Sequence, residues 1–165
     1  IRSRVHVMNF GLLSAETISE LLHVGGYESV EKIVPIAEGS MSRALEYAEN
    51  DATEILEDIL KLYQSGKDWP SIYNFAERMG KSGQGNEYSV FEGLCLWIFE
   101  QGAKMKARGG KLPERLGRLQ AAFQNFSLEQ ILTICDKLDE NFKRTKSANL
   151  DRRQAVIQAF SIMAG

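Results

Sequence analysis

Two cysteines, three prolines and two histidines are all that the 165-residue sequence holds of those residue types. Each scarcity excludes something. Cys95 and Cys135, both inside helical patterns, are too few for a disulfide scaffold and fit a thiol-reducing compartment. His6 and His23 have no cysteine or carboxylate at ligand spacing, so both read as surface residues rather than metal ligands. No apolar run approaches the roughly eighteen residues of a membrane span, and no signal peptide is visible. Strong net charge is missing too: the formal value is -2, which by itself points to neither nucleic acid nor membrane.

Hydrophobic residues at 44% and charged residues at 25% belong to a globular chain with a sizeable core. The small net charge hides an asymmetry. Residues 1–101 carry 8 Lys+Arg against 16 Asp+Glu, and residues 102–165 carry 12 against 6. An acidic end and a basic end suit two units with different surfaces, or head-to-tail association; solvated helix faces explain the same pattern as well.

The opening Arg2-Ser3-Arg4-Val5-His6-Val7-Met8 alternates as a short strand, and nothing after it offers that strand a partner. The expectation is that it is the end of a preceding domain. Nearly everything else has helical period. Ser14 caps a first helix with Ile18, Leu21 and Leu22 inward, stopped at Gly25-Gly26. A second, from about Glu28 to Ala37, is shortened or kinked by Pro35. Ser40 opens a third, whose apolar repeat from Met41 to Tyr63 predicts more than six unbroken turns.

Gly66-Lys67-Asp68 reads as a domain boundary. Five helices are expected beyond it. They are Trp69–Met79 with Pro70 near its first position, residues 87–107, one opening at Pro113, one opening at the capping box Ser127–Gln130, and one opening at Asn149-Leu150-Asp151. The helix over 87–107 is apolar around much of its circumference and should be central. The stripe expected to be buried on the Ser127 helix is Leu128, Ile131, Leu132, Cys135, Leu138 and Phe142.

Few residues here suggest chemistry. Gly80-Lys81-Ser82 mimics the end of a phosphate-binding loop, but Phe75 stands where that pattern needs glycine and a helix precedes it instead of a strand. The cysteines read as small buried hydrophobes, and the carboxylates as solvated helix faces. Lys104, Lys106, Arg108, Lys111, Arg115 and Arg118 flank a glycine turn and suggest phosphate contact, without the interleaved aromatics of a single-strand binder.

Three stretches point to one family. Arg2-Ser3-Arg4 resembles the R-S-R-C segment that ends the nucleotide-binding domain of clamp-loader subunits. Glu38-Gly39-Ser40-Met41-Ser42-Arg43-Ala44-Leu45 resembles the G-S-x-x-R-A-L stretch opening the last helix of their lid domain. Asn149-Leu150-Asp151-Arg152-Arg153-Gln154-Ala155 resembles the start of the final helix of their collar domain. Over its whole length the chain is similar to the C-terminal portion of the clamp-loader subunits of bacterial DNA polymerase III. Within that family it is most similar to the delta prime type. Val5 replaces the motif's cysteine, and Ser42, with Arg43 one place later, stands where ATP-hydrolysing subunits carry a sensor arginine.

The resemblance implies an all-α fold: a three-helix lid bundle over 11–65 and a five-helix collar bundle over 66–165, after a strand remnant over 1–10 from a missing AAA+ domain. It implies a cytoplasmic, bacterial protein whose collar binds the gamma or tau and delta subunits. Through the assembled pentamer it would serve the sliding clamp and primed DNA. Arg4 would act as an arginine finger in a neighbour's ATP site. ATP and magnesium would act in the parent complex, which belongs to a DNA-directed DNA polymerase; none is expected in this part of the chain, which is itself expected to be non-catalytic. A gamma- or tau-type ATPase subunit, a helical nucleic-acid-binding domain and a helical adaptor are the competing readings.

Overall fold

A computed structural model describes residues 11–66, 68–81 and 86–164. Among these the chain is all-α, with no strand. The expected strand over the first ten residues, with His6 and Arg4, lies outside the described residues. The chain divides into two compact units, residues 1–48 and 49–165.

The first unit holds α1 (Ala15–Val24), α2 (Val30–Ala37) and most of α3 (Met41–Glu49). Ser14 caps α1 by accepting from the Thr17 amide at 3.2 Å. Ile18, Leu22, Val30, Ile33, Ile36, Ala37 and Ala44 make its core. Leu21, expected inward, is 46% exposed, whereas Ile18 and Leu22 are buried. Pro35 sits inside α2, which is only eight residues long. Gly39 turns at φ 80°, and its carbonyl accepts from the Leu13 amide at 2.9 Å. A Cβ there would stand 2.8 Å from that of Leu12, so this turn requires glycine.

The single helix expected from Met41 to Tyr63 is two. The break falls at Asn50-Asp51, where Asp51 adopts φ 48° and α4 (Ala52–Gln64) starts. Aspartate is among the few residues that enter the left-handed region at modest cost. The apolar repeat continues through the break because both pieces bury their stripes, but they bury them in different units. Ile55, Leu56, Ile59 and Leu60 of α4 are buried in the second unit, where α4 packs on α6. The two compact units meet in sequence at Ala48–Glu49.

The second unit continues with α5 (Trp69–Gly80), α6 (Glu87–Arg108), a 3-10 segment (Glu114–Leu119), α7 (Gln120–Gln124), α8 (Leu128–Ser147) and α9 (Arg152–Met163). Helix α6 is central, as its composition predicts: α4, α5 and α8 all pack on it, and α9 packs on α5 and α8. Phe91 of α6 is the hub of one aromatic cluster, with ring centroids 5.7 Å from Phe75, 6.1 Å from Phe160 and 6.0 Å from Phe142. Further along α6, Phe99 meets Phe123 at 5.2 Å and Tyr63 of α4 at 6.3 Å. Rings at these separations add about 0.5–1.5 kcal/mol per pair beyond area burial.

Helix α8 corrects its expected stripe. Ile131, Ile134, Leu138, Asn141, Phe142 and Thr145 are buried, while Leu128 and Leu132 are 37% and 48% exposed. The true stripe includes two polar residues, so an apolar count misses it. Thr145 donates to the Asn141 carbonyl at 2.8 Å, and Asn141 donates to the Ala155 carbonyl at 2.9 Å, which ties α8 to α9. With those hydrogen bonds made, neither polar group is a burial penalty.

Candidate functional site

Three helix ends in the second unit meet around one recess. The first turn of α6 contributes Asn86, Tyr88 and Ser89, the last turn of α8 contributes Thr145 and Lys146, and the approach to α9 contributes Asn149, Leu150 and Arg152. They enclose about 380 Å³. The chain enters α9 through Asn149 at φ 48°, a conformation asparagine tolerates. The Leu150 amide folds back onto the Thr145 carbonyl at 3.0 Å, and the Ala148 amide onto that of Arg144 at 3.0 Å. The carbonyl end of α8 is thus partly satisfied by its own turn. Asp151 caps α9 by accepting from the Arg153 amide at 2.9 Å.

Beneath the recess lies Glu92, which is only 5% exposed. Its Oε2 pairs with Lys146 Nζ at 2.5 Å, and its Oε1 has no hydrogen-bond partner. Burial is the main force pushing its carboxyl above the usual range, opposed chiefly by Lys146. Tyr88, one turn before Glu92, is 4% exposed, and its hydroxyl interacts with the Glu92 carboxylate without completing a hydrogen bond of proper geometry. Burial first, then the Glu92 charge, push that hydroxyl far above the ordinary tyrosine range. The Arg152 guanidinium lies 5.3 Å from the centroid of the Tyr88 ring. The expectation that the carboxylates lie on solvated helix faces fails at Glu92. The signal that would have found it is its place between Phe91 and Leu94 on the helix read as apolar nearly all round.

Other candidates are accounted for structurally. Cys95 is fully buried, and desolvation followed by the Glu92 charge holds its thiol protonated. Cys135 is half-buried and its thiol is pushed up to about 11, first by burial and then by Glu100 and Asp136. Neither is placed to supply a thiolate nucleophile. His23 is exposed, with Nδ1 2.8 Å from the Ser19 carbonyl oxygen. Gly80 closes α5, and a Cβ on it would meet Cγ of Arg153 at 2.2 Å. The Arg153 side chain thus crosses over Gly80; Ser82 lies outside the described residues.

The cations after residue 101 do not make one free patch. Arg118 pairs with Glu57 at 2.8 Å, Lys106 donates to the Gln124 carbonyl at 2.9 Å, and Lys104 and Arg115 have partners of their own. Arg43 donates to Glu38 at 3.4 Å, and its amide to the Ser40 hydroxyl at 3.3 Å, so Ser40 caps the start of α3. Among the described residues no group of three or more His, Cys, Asp or Glu is arranged to hold a metal, and no helix is long and apolar enough to cross a membrane. Comparison with protein-family models, with curated proteins and with solved structures gives no match to this chain.

Proposed function

We propose that this chain is the lid and collar portion of a delta prime-type clamp-loader subunit of bacterial DNA polymerase III. Its role is to hold the clamp-loader pentamer together, so that the complex can place a sliding clamp on primed DNA. The observation that carries the reading is the placement of two of the three motifs that suggest the family. Gly39-Ser40-Met41 opens α3 with Ser40 bonded to the Arg43 amide, and Asn149-Leu150-Asp151 opens the final helix with Asp151 as its cap. Each motif therefore stands at a helix start, which is where the family's pattern requires it. A small helical unit followed by a larger one is in keeping with a lid followed by a collar.

In this reading the second unit binds equivalent units of gamma or tau and delta subunits. Arg4 places a guanidinium in a neighbour's ATP site, where a permanently charged, planar group stabilises charge on the transferring phosphate. ATP and magnesium then belong to the neighbour and not to this chain. The engagement of Arg118 and Lys106 with protein groups weighs against the nucleic-acid-binding alternative.

The test is reconstitution. The chain is mixed with gamma or tau and delta subunits, and the mass of the product is measured by size exclusion with light scattering. A stable complex containing all three supports the reading. Failure to assemble at micromolar concentrations, when a full-length delta prime subunit assembles under the same conditions, rejects it.

A further inference from the structure

Helices α5 and α9 run in opposite directions against each other. Gly80 at the end of α5 meets Arg153 at the start of α9, and Phe75 meets Phe160 edge to face at 5.9 Å. The seam between them is an open groove of about 410 Å³. Trp69 and Tyr73 of α5 line it, with Gln154, Ile157, Gln158 and Ser161 of α9. Tyr73 is 53% exposed and Trp69 is only partly covered, although large aromatic rings gain most from burial. The two rings are four residues apart and share a face of α5; Gln154, Gln158 and Ser161 share a face of α9 in the same way. Among the described residues, the side chains of Trp69, Tyr73, Gln154, Gln158 and Ser161 have no hydrogen-bond or ion-pair partner.

The chemistry of the groove constrains its occupant. No charged side chain lines it, so it offers nothing to a phosphate backbone or an ionised ligand. A helix laid there would bring no free backbone groups to the glutamines. A strand needs an edge to pair with, and the described residues hold no strand. A polyproline II chain meets every condition. Its backbone has no internal hydrogen bonds, so its carbonyls are free to accept from glutamine amides, a serine hydroxyl and the polar tips of tryptophan and tyrosine. Its proline rings pack on aromatic faces, and its preformed shape keeps the ordering cost low. Gln154 to Ser161 spans about 10 Å of helix, against about 9 Å for one polyproline turn.

We propose that the groove between α5 and α9 binds a proline-rich segment of another protein in the polyproline II conformation. Trp69 and Tyr73 hold its proline rings, and Gln154 and Gln158 donate to its carbonyls. Such a site is independent of clamp-loader assembly.

The experiment titrates the whole chain with a blocked octaproline peptide and follows tryptophan fluorescence. Of the two tryptophans Trp97 is 3% exposed, so a response to a ligand at the surface belongs to Trp69. A saturable blue shift is expected with octaproline, and none with a blocked glycine-serine peptide of the same length. Tyr73→Ala should weaken binding about tenfold at an unchanged melting temperature, the loss of one exposed aromatic anchor. Gln158→Ala removes one neutral hydrogen bond at an exposed position and should weaken it about fivefold. No saturable shift with octaproline, or equal affinity in the native chain and both variants, would overturn the proposal. Saturation by a cello-oligosaccharide but not by octaproline would overturn it in favour of a sugar. Mass doubling with concentration in light scattering, unreversed by octaproline, would overturn it in favour of a second copy of the chain.

Discussion

Gly102, in the middle of α6, lies against the ring of Phe123: a Cβ on the glycine would stand 2.1 Å from Cε1 and 2.3 Å from Cδ1 of that ring. Phe123 is fully buried and is held by Phe99 at 5.2 Å and Phe126 at 6.2 Å, so it has nowhere to retreat. Alanine would gain about 1 kcal/mol of helix propensity over glycine. Overpacking a filled core costs about 1–3 kcal/mol, and with a clash this deep the upper part of that range applies. Gly102→Ala should therefore lower unfolding free energy by about 2 kcal/mol in a urea titration. A neutral or stabilised variant would show that the ring can yield.

Gly80 makes the opposite case. Its missing Cβ also faces a short distance, 2.2 Å to Cγ of Arg153, but that side chain is half-exposed and anchored only at its tip by Glu77 and Asp151. A flexible surface chain can swing aside, and exposed ion pairs contribute little. Gly80→Ala is expected to change stability by less than about 0.5 kcal/mol. The same measurement as for Gly102 checks it, and a loss as large as that of Gly102→Ala would mean that Arg153 is held rigidly.

Glu92 makes stability depend on pH in a stated direction. Its folded carboxyl titrates above the ordinary glutamate value, so between that value and the folded one the native state binds more protons than the unfolded state. Stability from this group is full below the ordinary glutamate value and is lost as pH rises through the folded one. The groups facing it are Lys146, Arg152, Tyr88 and Cys95, and burial pushes the Tyr88 hydroxyl and the Cys95 thiol upward, away from the acidic range. Glu92→Gln should abolish that part of the pH dependence. At neutral pH it should be close to neutral or stabilising, because Lys146 is exposed enough to be solvated alone. Thermal melts of both proteins across the acidic range decide the matter; parallel curves would mean that Glu92 titrates normally.

The capping box at the start of α8 is complete. The Gln130 amide donates to the Ser127 hydroxyl at 3.1 Å, and the Ser127 amide donates to Gln130 Oε1 at 2.7 Å. Ser127→Ala should cost about 1 kcal/mol, and Ser127→Asp should restore most of it, since either an oxygen or a charge serves there. Equal stability of all three proteins in urea would remove the cap from the account of why α8 starts where it does.

Much was settled by local order along the chain. Ser14, Ser127 and Asp151 begin helices, Pro70 stands in the first turn of α5, and the Gly25-Gly26 and Gly109-Gly110 pairs end helices, all as the sequence pattern predicts. Caps, prolines and glycines act within about four residues, so a sequence carries their effect in full. The central place of α6 was legible for a related reason: a helix apolar around most of its circumference has no face to give to water.

What needed the tertiary structure were facts that depend on partners distant in sequence. Asn50-Asp51 would sit in a straight helix as well as at a turn; the break exists because α4 buries its stripe on α6, apart from the unit that holds most of α3. Glu92 is ordinary on a helix and becomes unusual only where α8 brings Lys146 over it. Asn141 and Thr145 count as polar until α9 offers a carbonyl to one of them and burial selects the stripe. The repeat along a helix says that a face is buried. Only the packing of helices against one another selects which face, because that choice is made by shape and charge on other segments of the chain.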